Sequence, residues 1–406
     1  MKIARIDLTP VSVPYVHREV SSIVRRDGVT EVIVRVETDD GIVGWGEACS
    51  GADVVSVEAA LHAMLPFVIG RDPWNAEAMR SQLYHSGLWQ LRPTTANYAW
   101  AGIDMALWDI RGKAVGEPLY RLFGGLLRNS VSYFYYLARG DSASLSDQAA
   151  DGLAHGFDTF YLKIGLDWTD DLRMVAALRE ALGPGPRIRV DANCSWSVPE
   201  AIKKLGVLAQ FDIDLAEQPV RQSPVRQLAE VRARVPMAIC ANEGLWTEAE
   251  AYDRIVSRQA DVFCFSPYWT GSLASFHRLC HVAALEGLEV CKHTHGELGL
   301  AAAASQHLLL TLPNIVEGHQ QTAYMMLHDI LTEPVPIARG PLWGVPAGPG
   351  LGIEVDGAAL REASDRYQRD GQFLPYEPAL LAQQSTAMSS GGRDYAAALQ
   401  PIVSDE

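Results

Sequence analysis

The sequence predicts an α/β protein in which a β/α barrel follows an α+β domain. Three observations predict it. The first residues alternate as strands do and then take helical spacing; after Gly125 short apolar runs alternate with helix-length stretches; and eight such runs recur at roughly 25-residue intervals, which close most simply into a barrel. At 406 residues the chain is also too long for one ordinary core.

Strand-like alternation covers Lys2 to Val13, Glu31 to Glu37 and Gly41 to Ala48, with Asp39-Asp40-Gly41 as the turn between the last two, so an antiparallel meander is expected. From Val54 to about Phe123 the spacing is helical. The stretch Tyr98 to Trp108 is apolar on most sides, as a helix buried between layers requires. These elements form the expected α+β domain of residues 1–125. The barrel, 126–341, takes its runs at Val131–Leu137, Thr159–Ile164, Arg187–Val190, Asp212–Ala216, Met237–Ala241, Asp261–Phe265, Leu288–Cys291 and Asn314–Val316. Helical stretches between them include Asp170–Leu182, Val198–Leu208, Thr247–Ser257 and Glu297–Leu310. The tail, 342–406, mixes Gly, Pro and short helical pieces and is expected to fold back on the first domain.

Composition narrows the function classes. With 48% hydrophobic and 20% charged residues the chain is neither disordered nor of membrane type. A formal charge of −15 repels phosphate backbones and no basic stripe offsets it, so nucleic acid is not an expected partner. No apolar run reaches the length of a bilayer span or of a signal peptide, so no membrane partner and a cytoplasmic location are expected. The six cysteines lack a CxxC pair and read as free core thiols.

In a β/α barrel the residues ending the strands share one mouth. Run three ends in Asp191, run four in Glu217 and run five in Asn242-Glu243, a spacing of 26 residues each time if Glu243 is the member used. A lone acid at such a place is more often a helix cap or a surface charge; three in register point to a cation site. With only hard oxygen donors, Mg²⁺ is the expected ion and Mn²⁺ also fits. Run two ends in Lys163, with Tyr161 on the same face, and run seven in Lys292-His293-Thr294-His295, so Lys163 and His293 look across the metal from opposite sides. A lysine beside a dication in a closed mouth loses proton affinity and becomes a base, although pairing with a carboxylate is the plainer reading. His295 points by alternation towards the barrel wall. Such a site suits removal of the proton next to a carboxylate, so a small carboxylate substrate is expected.

The stretches Gly102-Ile103-Asp104-Met105-Ala106-Leu107-Trp108-Asp109, Tyr161-Leu162-Lys163-Ile164-Gly165, Val190-Asp191-Ala192-Asn193, Glu217-Gln218-Pro219 and Pro349-Gly350-Leu351-Gly352 resemble the enolase superfamily, in its mandelate racemase and muconate lactonizing branch. The resemblance spans nearly the whole chain. It implies a modified (β/α)7β barrel, a capping domain that closes the mouth and is completed by the tail, a Lys or His base, and Mg²⁺ on strands three to five. Three departures stand out. Tyr161 replaces the first lysine of the family's Lys-x-Lys, and Ser266 stands where strand six carries a second lysine or an Asp that orients the strand-seven histidine. Asn242-Glu243 replaces the usual Gly-Glu or Asp-Glu, so either residue is a candidate third ligand, Glu243 being favoured. Lys163 then matches the usual base and His293, without a carboxylate partner, is expected to be a better acid than base. That pairing is similar to the acid sugar dehydratases. Tyr161 and Glu317 are the expected substrate-binding residues, Glu317 at the end of run eight. Tyr15, His17, Arg18, Arg25 and Arg26 either meet a distal anionic group or form a solvated loop.

The leading expectation is therefore a Mg²⁺-dependent lyase that dehydrates a sugar acid or another small β-hydroxy carboxylate. A racemase, epimerase or cycloisomerase of the same superfamily is the second, and a non-catalytic metal-binding homologue the third. A homo-oligomer is expected on general grounds.

Overall fold

The computed structural model describes residues 1–49, 53–87 and 93–376. The chain opens with an antiparallel sheet of β1 (Ile3–Val20), β2 (Arg25–Thr38) and β3 (Val43–Cys49), in that spatial order. The expected turn is there: Gly41 takes a positive φ and its N–H donates to the Thr38 carbonyl at 3.0 Å. The first hairpin is longer than the alternation suggested. β1 and β2 pair again at Glu19↔Arg26 and Val20↔Arg25 past an irregularity after Pro14, so the stretch expected as a loop is closed by strand pairing at its tip.

The helix Pro93–Val115 lies on this sheet. Its Gly102 carbonyl is so near Gly46 that an added Cβ there would sit 2.0 Å away, which only glycine tolerates. Val32, Val34, Val36, Leu61, Trp100, Ile103 and Leu107 make a separate small core between sheet and helices.

The barrel begins after β4 (Ser130–Ser132). β5 (Tyr135–Leu137), β6 (Thr159–Lys163), β7 (Arg187–Asp191), β8 (Ile213–Glu217), β9 (Ala238–Ala241), β10 (Val262–Phe265) and β11 (Glu289–Lys292) form one parallel sheet in sequence order. Each strand is buried on both faces, as parallel strands under a layer of helices must be. Two expected runs differ. The first is split, because Ser130–Ser132 turns away to pair antiparallel with β12 (Leu342–Gly344). The eighth forms bridges in place of a regular strand: Val290↔Ile315 on one side and Tyr133↔His319 on the other. Backbone bonds Val316 N to Val290 O (3.1 Å), Gln320 N to Lys292 O (3.1 Å) and His319 N to Ser132 O (2.8 Å) still join it to both edges. The sheet therefore curls round to this irregular last stave.

Past β12 the chain returns to the first domain. Leu351 N–H donates to Asp109 Oδ1 (2.9 Å), whose Oδ2 takes Trp45 N–H (3.0 Å) and Lys113 Nζ (2.6 Å). After the helix Gly357–Asp370, Gly371 and Phe373 bond to Ser12 and Thr30 on β1 and β2. The remainder of the expected tail, 377–406, lies outside the described residues.

Candidate active site

Parallel pairing places Lys163 beside Asp191 and Asp191 beside Glu217 at the carboxyl ends of β6, β7 and β8. Asn242-Glu243 follows the end of β9. Asp191 and Glu217 are buried, Glu243 is half-buried, and each is held by a donor. Asp191 Oδ2 receives the Tyr161 hydroxyl at 2.5 Å and Lys163 Nζ at 2.6 Å, and Oδ1 takes the Asn193 N–H at 2.7 Å. Glu217 Oε2 receives Gln320 Nε2 at 2.7 Å, and Glu243 Oε1 receives Asn193 Nδ2 at 3.0 Å. Burial, and then the charge of Asp191, pushes the Glu217 carboxyl well above its ordinary range and that of Glu243 up to about 7.

These acids fit a hard dication. Three neighbouring carboxylates, two of them fully buried, resist ionising together, and Glu243 Oε2 is buried without a partner, a cost that a bound cation removes. Of the two strand-five candidates, Asn242 turns its Nδ2 to the Cys264 carbonyl at 2.9 Å, whereas Glu243 is the one with an unpartnered oxygen. The three carboxylates do not converge on a single point, however. Among the described residues, the tight clusters of possible ligand atoms join Glu217 to Cys240 and Cys264, and Glu31 to Glu47 and Cys49. Asp191 and Glu243 are instead turned to the donors just named.

Lys163 is a protonated amine here. Burial alone lowers its proton affinity, but the charges of Asp191, Glu217 and Glu19 outweigh this and leave it raised. His293 faces the same space with Nδ1 buried and unpartnered, and its ring lies 4.0 Å from that of Trp269. Burial, then His295 and Lys163, holds it well below its ordinary value, so it is a neutral imidazole and not the ready proton donor expected from sequence. His295 does sit against the wall, Nδ1 taking the Trp269 indole N–H at 3.2 Å. Lys292 pairs inside the barrel with Glu297, away from the acids.

Other expected residues stand elsewhere. Glu317 is exposed and bonded to Ser132, at the amino-terminal end of the barrel where Thr159 opens β6, so it does not reach the mouth. The irregular last stave carries Gln320 to that level in its place. Tyr161 spends its hydroxyl on Asp191 and stacks on Phe134 at 4.4 Å, which makes it a residue that positions Asp191. Ser266 caps the short helix Pro267–Thr270, its Oγ accepting from Trp269 N–H at 3.4 Å, and this turn brings the Trp269 ring over His293. Above the mouth, Arg26 pairs with Glu19 at 2.7 Å and donates to the His295 carbonyl, while Ser22 Oγ donates to the Ala192 carbonyl at 3.1 Å. Arg18 pairs with Asp27 at the exposed rim, and His17 is exposed. Sequence reasoning missed Glu19, Asn193, Trp269 and Gln320. Of these, Asn193 carried a signal, as the last residue of the motif Val190-Asp191-Ala192-Asn193.

Residues 144–359 match the family described as enolase C-terminal domain-like, and residues 8–124 match the mandelate racemase/muconate lactonizing enzyme N-terminal domain. The chain belongs to the enolase superfamily. Within its mandelate racemase and muconate lactonizing branch, similar proteins include D-galactarolactone cycloisomerase of Agrobacterium fabrum, 32% identical across 84% of this chain and 93% of that protein. Muconate cycloisomerase 1-1 of Acinetobacter lwoffii is 30% identical across 91% and 97%. An arabinonate dehydratase of Saccharolobus solfataricus is 28% identical across 85% and 90%. Among solved structures, an enolase from Streptomyces coelicolor superposes with a TM-score of 0.84 at 31% identity, covering 91% of this chain and 99% of its own. A dipeptide epimerase from Enterococcus faecalis, solved with Mg and a dipeptide, gives 0.80 at 26%, covering 87% and 100%. These superfamily relatives are enzymes of lyase and isomerase type.

Proposed function

We propose that the chain is a one-base lyase that removes the proton α to a substrate carboxylate and expels a β-hydroxyl, dehydrating a sugar acid or similar β-hydroxy acid. The observation that carries this is the asymmetry of the mouth. One face presents an amine, Lys163, whereas the other presents Ser266 as a helix cap and Trp269 packed over a neutral His293. Two-way proton exchange needs an effective base on both faces; elimination needs one.

Asp191, Glu217 and Glu243 would hold Mg²⁺, with Mn²⁺ as a substitute, and the cation would stabilise the enolate charge. Lys163 Nζ is the base. With the charge of Asp191 and Glu217 taken up by the cation, the two largest charges that raise the amine would be removed, and burial would then lower its proton affinity towards the neutral form a base requires. Tyr161 and Asn193 keep Asp191 and Glu243 in place. The hydroxyl leaves on the His293 side, where the imidazole N–H donates a hydrogen bond to the departing oxygen, and the proton that Lys163 has taken is returned through solvent so that the oxygen leaves as water. Around the hairpin, Tyr15 Oη, His295 Nε2, Gln321 Oε1 and Thr322 Oγ1 are buried and unpartnered, and Arg26 is neutralised by Glu19. Neutral polar groups match hydroxyls better than a second anion.

Cycloisomerisation is the second reading, favoured by the lactone and muconate cycloisomerases among the relatives. Incubation with a sugar-acid library in D₂O tests both. Dehydration yields a 2-keto acid; deuterium entering recovered substrate at the α carbon with no keto acid overturns the proposal.

A further inference from the structure

Beneath the mouth, the interior of the barrel holds a sulfur cluster that the chemistry above does not use. Cys240 on β9, Cys264 on β10 and Cys291 on β11 are buried with Leu215, Val262 and Val316 in a small core separate from the main one. Cys264 is in register with Cys291. A buried cysteine is ordinarily a small apolar filler. Here, however, ligand atoms of Cys240, Cys264 and Glu217 all lie within 4.8 Å of one another. Two sulfurs and one carboxylate oxygen form a donor set for borderline and soft cations, unlike the all-oxygen set above it. His319 is excluded as a further ligand. Its Nδ1 accepts the Lys292 N–H at 2.8 Å, so Nε2 carries the proton and has no lone pair to offer.

We propose that Glu217, Cys240 and Cys264 form a site for a thiophilic divalent cation, Zn²⁺ or Cd²⁺, and that this site shares Glu217 with the hard-cation centre. Binding forms two metal–sulfur bonds and releases both thiol protons to solvent, with no change of oxidation state. Only the shared use of Glu217 rests on the proposed function. It makes the two sites exclusive, so a soft cation silences turnover by drawing Glu217 down into the barrel.

Cd²⁺ added to the full chain without Mg²⁺, followed by sulfur-to-cadmium charge-transfer absorption, tests this. The expected result is one ion per chain with that absorption. Cys240→Ser and Cys264→Ser each weaken binding at least about tenfold and remove most of the band. Cys194→Ser changes neither; Cys194 is the control because its thiol feels Glu243 and Asp191 from the mouth side. Cys264→Ala, checked by thermal melting, replaces the serine variant if that one fails to fold. Cd²⁺ that binds without the band, or a band that follows Cys194, overturns the proposal. Asp191→Asn separates the two readings. It should abolish Mg²⁺ binding and leave the cadmium band; an unsubstituted chain that gives the band but never binds Mg²⁺ sinks the hard-cation reading alone.

Discussion

Lys163 and the Tyr161 hydroxyl share one oxygen of Asp191, and this sharing sets what each side chain can do. Replacing Lys163 with Ala removes the base but no cation ligand. Turnover should fall by about 10²- to 10⁴-fold while Mg²⁺ binding, read by calorimetry, survives. Unchanged turnover would remove Lys163 as the base. Tyr161→Phe removes a donor that acts through Asp191, so cation affinity and kcat/KM should fall together by about 10- to 100-fold. A KM effect without loss of cation affinity would restore Tyr161 to substrate contact. At this scale the sequence was legible where a side chain ends a regular strand, because two-residue alternation then fixes its direction. Asp191, Glu217 and Lys163 are of that kind. Glu317 misled because the last stave is held by bridges and not by a ladder, so counting along it does not locate the mouth. Trp269 was unreadable because its place depends on a one-turn helix capped by Ser266.

Among the elements, the β1–β2 hairpin does what no single residue shows. Its tip is closed by Glu19 and Arg26, 9% and 3% exposed, and Arg26 ties it to the carbonyl of His295. Breaking a buried pair costs more than the pair contributes, since the other charge is left without a partner. Arg26→Ala should therefore destabilise the fold by about 3–5 kcal/mol in urea titration, and Glu19→Ala similarly. Arg26→Ala should also raise KM, as the hairpin releases from the mouth; equal stability with equal KM would separate hairpin from site. The meander was legible from alternation, but the reach of this hairpin was not. Charged residues at 17–19 and 25–27 break the apolar pattern, and only the fold reveals that the Glu19–Arg26 part of them is buried against β11's end.

The whole molecule is pinned where distant sequence motifs meet. Asp109 in the first domain accepts the N–H of Leu351 in the tail, and Gly350 packs on Gly112 so closely that a Cβ on Gly112 would lie 2.6 Å from the Gly350 Cα. Both motifs were visible in the chain, whereas their contact lies beyond any local pattern. Global stability should also report the state of the acid cluster. Burial, then Asp191, raises the Glu243 carboxyl from 4.5 to about 7, so between those values the metal-free fold holds a proton that the unfolded chain releases. This contribution is complete below about pH 4.5 and is lost as pH rises to 7, on the order of 3 kcal/mol at 1.4 kcal/mol per unit. A dication must expel that proton. Its affinity should thus climb by at least about tenfold per pH unit below 7, so Mg²⁺ raises the melting temperature much more at about pH 8 than at about pH 5.5. Glu243→Gln should flatten both trends. Equal Mg²⁺ protection at the two pH values would remove Glu243 from the ligand set.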